Sequence, residues 1–263
     1  MFDKRIIIGG LPRSGSTLLR FILDSSDDIL SGPETSFFTQ PLHKLQARSE
    51  KVATRLARKL ELDVEDVQAS IMQAEDSFTA FDGIMEAFAR SVGVEKSAWA
   101  EKSPDNCIHY GRLLIENPDT YFISTIRHGI DVATSVIKDH PKKGNDYWCS
   151  VQLYADCMAY VMEFDHPNHI IVRYEDLVRE PESVLDSLST FLDMRFDRSV
   201  LERFNQESKS RDFSKVNQPK LKEKLQDTWV GRYRDPAHKG RVEEFMQHER
   251  AVHWLQKSGY EVE

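Results

Sequence analysis

The octet Gly10-Leu11-Pro12-Arg13-Ser14-Gly15-Ser16-Thr17 joins two glycines, a guanidinium and three hydroxyls. Consecutive backbone N–H groups in such a turn, with a helix N-terminus behind them, form a nest for an anion. The hydroxyls of Ser16 and Thr17 add donors, and Arg13 adds a charged fork. The nucleotide-hydrolase pattern G-x-x-x-x-G-K-[ST] fits at Gly10, Gly15 and Thr17, but Ser16 stands where the lysine belongs, and the cation is Arg13, three residues earlier. No strand-terminal Asp presents itself for Mg²⁺. The octet therefore predicts anion binding and disfavours metal-assisted phosphoryl transfer. A strand-to-helix turn with an N-cap serine accounts for the same letters without a ligand.

Four further groups carry charge or hydroxyls in places that suit chemistry. Arg127 ends an apolar run and Ser135 follows eight residues later, so the two can reach one anion from two sides. Pairing of Arg127 with Asp131 on one helix face is the competing arrangement. Glu34 lies in Gly32-Pro33-Glu34-Thr35, and Lys102 in Glu101-Lys102-Ser103-Pro104. Each has a bland counterpart, a helix-capping glutamate and a surface lysine before a turn. The run Arg173-Tyr174-Glu175-Asp176-Leu177-Val178 follows another apolar stretch, and its two acids suit the first turn of a short helix. Of the nine histidines, His109 and His128 lie near these groups, with His109 the reserve base. No His/Cys/Asp cluster has metal-ligand spacing, and no G-x-S-x-G elbow is present.

These groups need elements to hold them. Arg5–Gly9 reads as a buried strand, followed by a turn and a helix over Leu18–Ser25. Ile29–Ser31, Ser97–Glu101, Tyr121–Ile126 and His169–Arg173 read as further strands. Helical spacing covers Cys107–Glu116, Ile130–Lys138, Tyr147–Phe164, Glu182–Leu192 and Val242–Lys257. Alternation of the two implies an α/β domain whose parallel sheet is covered on both faces. Residues 40–92 read as two or three amphipathic helices inserted in that plan, a wall or lid for a substrate. Residues 208–224 are polar and lysine-rich and read as a loop. The expectation is one domain over residues 1–263.

The chain has 263 residues, 40% of them apolar, enough to build a core without disulfides. Its 35 basic and 43 acidic residues leave a net charge of −8, which argues against nucleic-acid or anionic-membrane partners. An anionic ligand must then be held by a local basic pocket. Cys107, Cys149 and Cys157 are too few for a disulfide framework and read as packing residues. No apolar run approaches a membrane span, and the first turn begins too early for a signal peptide, so the expected location is cytoplasmic.

Taken in order, these motifs resemble the sulfotransferases that use 3′-phosphoadenylyl sulfate, on the P-loop-like fold of that superfamily, and within it the tyrosylprotein sulfotransferase branch. The resemblance spans most of the chain. It implies that Arg13, Ser14, Gly15, Ser16, Thr17 and Leu18 form the 5′-phosphosulfate loop. It implies that Arg127 and Ser135 grip the 3′-phosphate and that Tyr174 lies near the adenine. Ser214, with Lys215-Val216-Asn217-Gln218-Pro219 and Trp229-Val230-Gly231-Arg232-Tyr233, matches the C-terminal nucleotide loop. Glu34 matches the branch's catalytic base, the second Glu of G-E-E-T. Lys102 matches the lysine that stabilises the bridging oxygen together with Arg13. The pattern is broken at three places: Ser36 replaces an Arg after the motif Thr, Asp139 an Arg of the 3′-phosphate clamp, and Thr228 a Lys before the Trp. One basic residue between 215 and 232, such as Lys222, Lys224 or Arg232, is left to complete that clamp. The implied reaction is sulfonate transfer to an acceptor hydroxyl or amine, leaving adenosine 3′,5′-bisphosphate, with no metal. A peptide tyrosine, a sugar, a lipid or a small metabolite all remain open as acceptor, and so does a homodimer. The rivals are a small-molecule kinase using ATP and Mg²⁺, a nucleotide-binding module without turnover, and an interaction scaffold.

Overall fold

The structure is a computed structural model that describes residues 2–139, 147–210, 225 and 227–261. Five strands, β1 (Lys4–Gly10), β2 (Ile29–Leu30), β3 (Ala98–Lys102), β4 (Tyr121–Ile126) and β5 (His169–Arg173), form one sheet in the order β2-β3-β1-β4-β5. Every pairing is parallel. The expected strands are all present, with ends shifted by a residue in β1, β2 and β3.

Side-chain alternation along the strands divides the core in two. Ile7, Leu30, Trp99 and Phe122 point to one face, where they meet the helices α2 (Leu42–Gln46), α3 (Ser49–Leu60), α4 (Val64–Gln73), α5 (Ser77–Val92), α6 (Tyr110–Glu116) and α8 (Tyr147–Glu163). Ile6, Ile8, Ile29, Ala98 and Ile123 point to the other, covered by α1 (Ser16–Asp24), α9 (Tyr174–Arg179), α10 (Pro181–Leu192) and α11 (Arg198–Ser210). Ile6, Ile7 and Ile8 are all fully buried, the signature of a central strand in a doubly covered sheet. The remaining helices are α7 (Gly129–Asp139), α12 (Lys239–Met246) and α13 (Glu249–Lys257).

Several boundaries differ from the sequence reading. The region 40–92 holds four helices, not two or three, and Phe78 and Phe81 from it pack on Trp99 of β3 beside Phe38, which precedes the region. Pro104–His109 is a 3-10 turn, and the α-helix starts only at Tyr110. The residues expected to form a loop from Ser208 are still helical to Ser210. The single helix expected over Val242–Lys257 is two. His248 leaves the helical region and caps α13 by accepting the Ala251 N–H at 3.2 Å, while its other ring nitrogen meets Gln152 at 2.8 Å. Cys149 is exposed, so it is not a packing residue.

The order 2-3-1-4-5 has one consequence for function. The chain leaving β1 crosses toward β2, whereas the chain leaving β4 crosses toward β5. The carboxyl ends of β1 and β4 thus border a crevice where the topology switches, the usual ligand position in open α/β sheets.

Candidate functional site

Arg13, Glu34, Lys102, Arg127 and Tyr174 each follow or close a different strand. In an all-parallel sheet those ends share one edge, so residues up to 161 positions apart in sequence come together there.

The octet begins where β1 presses against β4. Gly10 has φ +117°, and a Cβ on it would lie 2.4 Å from the Thr125 carbonyl oxygen, so no other residue fits there. The loop is pinned to β4: Leu11 N–H donates to Thr125 O at 3.1 Å, and the fully buried Ser14 hydroxyl meets Leu11 O at 2.5 Å and Thr125 Oγ1 at 2.6 Å. Ser14 thus uses its hydroxyl to hold the loop, and only its backbone remains to meet a ligand. Gly15, φ +87°, is the N-cap of α1, with Ser16 and Thr17 in the first turn and Leu18 behind them. Tyr174 packs on Gly15 so closely that a Cβ there would stand 2.5 Å from its ring.

On the β4 side the guanidinium groups converge. Arg13 Nε donates to Ser135 Oγ at 3.1 Å. Arg127 donates to the Arg13 carbonyl at 3.3 Å and to the Trp229 carbonyl, and lies over the Tyr174 ring at 4.6 Å. Its ion pair with Asp131, foreseen as the competing arrangement, exists at 3.4 Å. Asp131 also accepts the N–H groups of Gly231 at 2.8 Å and Tyr233 at 2.9 Å, which anchors the 229–233 turn against Arg127. Arg127 Nε is buried and has no hydrogen-bond partner among the described residues. Glu175 serves the framework: it accepts the His128 N–H at 3.0 Å and the Tyr260 hydroxyl at 2.7 Å. His128 is buried between Tyr233 and Tyr260, with its ring stacked on Tyr233 at 4.1 Å. Ser214, Lys215, Asn217, Lys222 and Lys224 lie outside the described residues. Thr228 and Arg232 are exposed.

On the β3 side Lys102 Nζ forms an ion pair with Glu34 Oε2. The lysine side chain is 5% exposed and the glutamate 46%, so one partner is desolvated and the other faces outward. Burial pulls the Lys102 ammonium below the usual lysine range, and Glu34 pulls back up. Glu101, the residue before it, is 2% exposed and turns inward. It accepts Thr35 Oγ1 at 2.6 Å, Thr35 N at 3.2 Å, Ser103 Oγ at 2.7 Å and Asn106 Nδ2 at 2.6 Å. It ties the loop after β2 to the turn after β3. His109 ends that turn half-buried, and burial, then Arg112, lowers its pKa.

The sequence reading missed the supports. Arg20, in an otherwise apolar stretch of α1, is buried and donates to the Gly32 carbonyl at 2.6 Å. A charge inside an apolar helix face is a signal that a buried acceptor exists. Lys59 of α3 donates to the Glu34 carbonyl at 2.5 Å, and no motif marks it.

Among the described residues, no group of His, Cys, Asp and Glu is arranged to hold a metal ion, and no helix is long and apolar enough to cross a membrane. Comparison with known proteins gives the family. Residues 5–198 match the profile of the Sulfotransferase family. Protein-tyrosine sulfotransferase 2 of Gallus gallus is 28% identical over 211 residues, 74% of this chain and 53% of that protein. The protein-tyrosine sulfotransferase of Drosophila melanogaster is 27% identical over 210 residues, 74% of this chain and 39% of that protein. The chain thus spans about half or less of these relatives' lengths. The sulfotransferase domain from the curacin biosynthetic pathway superposes with a TM-score of 0.70 at 19% identity, covering 100% of this chain and 99% of that one, a likeness of fold.

Proposed function

Because the chain belongs to the sulfotransferase family, we propose that it transfers a sulfonate group from 3′-phosphoadenylyl sulfate to an acceptor hydroxyl. The observation that carries the proposal is the Lys102–Glu34 ion pair at the sheet edge beside the phosphate loop: a desolvated cation joined to an outward-facing carboxylate.

The residues fit such a donor on two counts. The loop from Gly10 to Thr17 makes a turn with positive φ at Gly10, Arg13 and Gly15, leading into a helix N-terminus, a cradle suited to a phosphosulfate. Arg127 retains a buried donor, Nε, for the 3′-phosphate, with Ser135 nearby through Arg13. Tyr174 offers a ring beside both for the adenine. The donor supplies the sulfonate and a phosphate leaving group; the chain's own groups supply the rest. Glu34 takes the acceptor's proton on the carboxylate oxygen not held by Lys102, a step worth about 10²–10⁴-fold. Lys102 and Arg13 offset the charge that builds on the leaving oxygen, and the shielding of Lys102 from water strengthens it. Sulfonate carries a single charge, so these fixed cations meet the electrostatic need.

The acceptor class follows from the protein-tyrosine sulfotransferase relatives only as a first choice: a peptide tyrosine, then sugars and small hydroxyl or amine compounds. The test is mass spectrometry of such a panel incubated with donor, alongside calorimetry of adenosine 3′,5′-bisphosphate against ATP with Mg²⁺. A gain of one sulfonate on an acceptor and tight binding of the bisphosphate are expected. Preference for ATP with Mg²⁺, or bisphosphate binding without turnover on any acceptor, would overturn the proposal.

A further inference from the structure

The loop that bears Glu34 hangs from a strand of two residues, Ile29–Leu30, too short to aim a side chain by itself. Its backbone is gripped instead. Arg20 of α1 holds the Gly32 carbonyl at 2.6 Å, Glu101 accepts the Thr35 N–H at 3.2 Å, and Ser103 Oγ accepts the Ser36 N–H at 2.9 Å. α3 adds a further group, the Lys59 ammonium on the Glu34 carbonyl at 2.5 Å. The helix is seated hard against this loop, because a Cβ on Gly32 would stand 2.8 Å from Leu60, the residue after Lys59. Lys59 is exposed. An exposed lysine gains little from a fixed contact unless the geometry around it is set, since its long side chain loses rotamer freedom. Here the contact closes a bracket: one lysine holds the carboxylate of Glu34 and another holds its carbonyl.

We infer that Lys59 is a positioning residue for Glu34, holding the base's backbone from α3 while Lys102 holds its carboxylate. The inference rests on the reading of Glu34 as general base. A base must lie within hydrogen-bond reach of the proton it takes, and a small displacement of a reacting group costs up to about 10²-fold in rate. Lys59 lies on the surface of α3, away from the apolar contacts of that helix made by Ala53, Leu56 and Leu60, so its replacement leaves the fold intact.

The test compares Lys59→Met, Lys59→Arg, Glu34→Gln and the double variant Lys59→Met/Glu34→Gln. Turnover is followed with donor and the best acceptor of the panel, or with water as acceptor where none reacts. For Lys59→Met, kcat is expected to fall about tenfold with the affinity for adenosine 3′,5′-bisphosphate unchanged. Lys59→Arg is expected to restore most of it, and the methionine is expected to cost nothing further on top of Glu34→Gln. Unchanged kcat in Lys59→Met beside a collapse in Glu34→Gln overturns the positioning role and spares the base. A full Lys59→Met loss persisting in the Glu34→Gln background overturns it as well, since the lysine would then act elsewhere. Wild-type turnover in Glu34→Gln sinks the base reading itself. Hydrogen exchange gives a readout independent of turnover: the Thr35 and Ser36 amides are expected to exchange faster in Lys59→Met, and unchanged protection overturns the bracket.

Discussion

At the scale of single residues, Lys102 and Glu34 show how one ion pair can be asymmetric. The lysine is desolvated and the glutamate is not, so the cost of burial falls on the cation and the carboxylate stays available. The proposed roles give a direct forecast. Glu34→Gln should lower kcat by about 10²–10⁴-fold while the bisphosphate binds as before, as steady-state kinetics and calorimetry would register. Loss of affinity in step with rate would mean that Glu34 holds the nucleotide instead. Lys102 gives a pH forecast. Burial sets its ammonium below the ordinary 10.5, opposed by Glu34 and Glu101 and aided by Arg20, so it sheds its proton earlier than a surface lysine as pH rises. The alkaline limb of the kcat profile should therefore fall below 10.5, and Lys102→Arg, whose guanidinium stays charged, should abolish that limb. A limb unmoved by the substitution would assign it to another group.

At the scale of elements, the Gly10–Thr17 turn, the proposed phosphate loop, depends on the seam between β1 and β4. Gly10→Ala would drive a methyl group into the Thr125 carbonyl at 2.4 Å and force a positive φ on alanine. Nucleotide affinity should drop at least tenfold in calorimetry, more than for a change at Ser16, because the whole turn must shift. The helices of residues 42–92 are tied to the sheet by a partly buried polar knot. Asp82 of α5 accepts Arg5 at 2.6 Å and the Trp99 indole N–H at 2.6 Å. Asp82→Ala leaves both donors unpaired and should cost about 1–3 kcal/mol, measured by denaturant unfolding. A loss near zero would mean that water replaces the carboxylate. The helical pattern of these segments was legible from their apolar spacing. Their anchorage was not, since Arg5, Asp82 and Trp99 are distant in sequence and each is unremarkable alone.

At the scale of the whole molecule, the fold keeps several histidines neutral. Burial lowers the pKa of His109, His128 and His169 from the ordinary 6.5. The unfolded chain takes up protons below 6.5 that the folded chain refuses, so stability should fall as pH drops through and below that value and be insensitive to these groups above it. Thermal melts across that range test this. His169→Asn should flatten the slope in part, and a flat profile in the parent protein would show that the histidines are hydrated. The net charge of −8 also bears on the proposed site, because in that role the Arg13 and Arg127 cluster attracts an anion against the field of the rest of the chain. Added salt screens that field and the local cluster alike.

The strands, the turn over Gly10–Thr17 and the α/β class could all be read from the amino-acid order. A run such as Ile6-Ile7-Ile8 closing on glycine, or an octet with cation and hydroxyls at fixed spacing, carries its physics within a few residues. Glu34, Lys102, Arg127 and Tyr174 could be nominated in the same way, since each follows a strand and a parallel sheet delivers strand ends to one edge. What the order of residues left open is which of these groups touch. That Arg13 turns to Ser135, that Ser14 spends its hydroxyl on β4, and that Arg20 and Lys59 hold the glutamate loop are matters of tertiary packing. The reason is that a buried polar group must find a partner wherever the folded chain offers one. The partner's place in the sequence is then set by the crossing of strands and helices, not by distance along the chain.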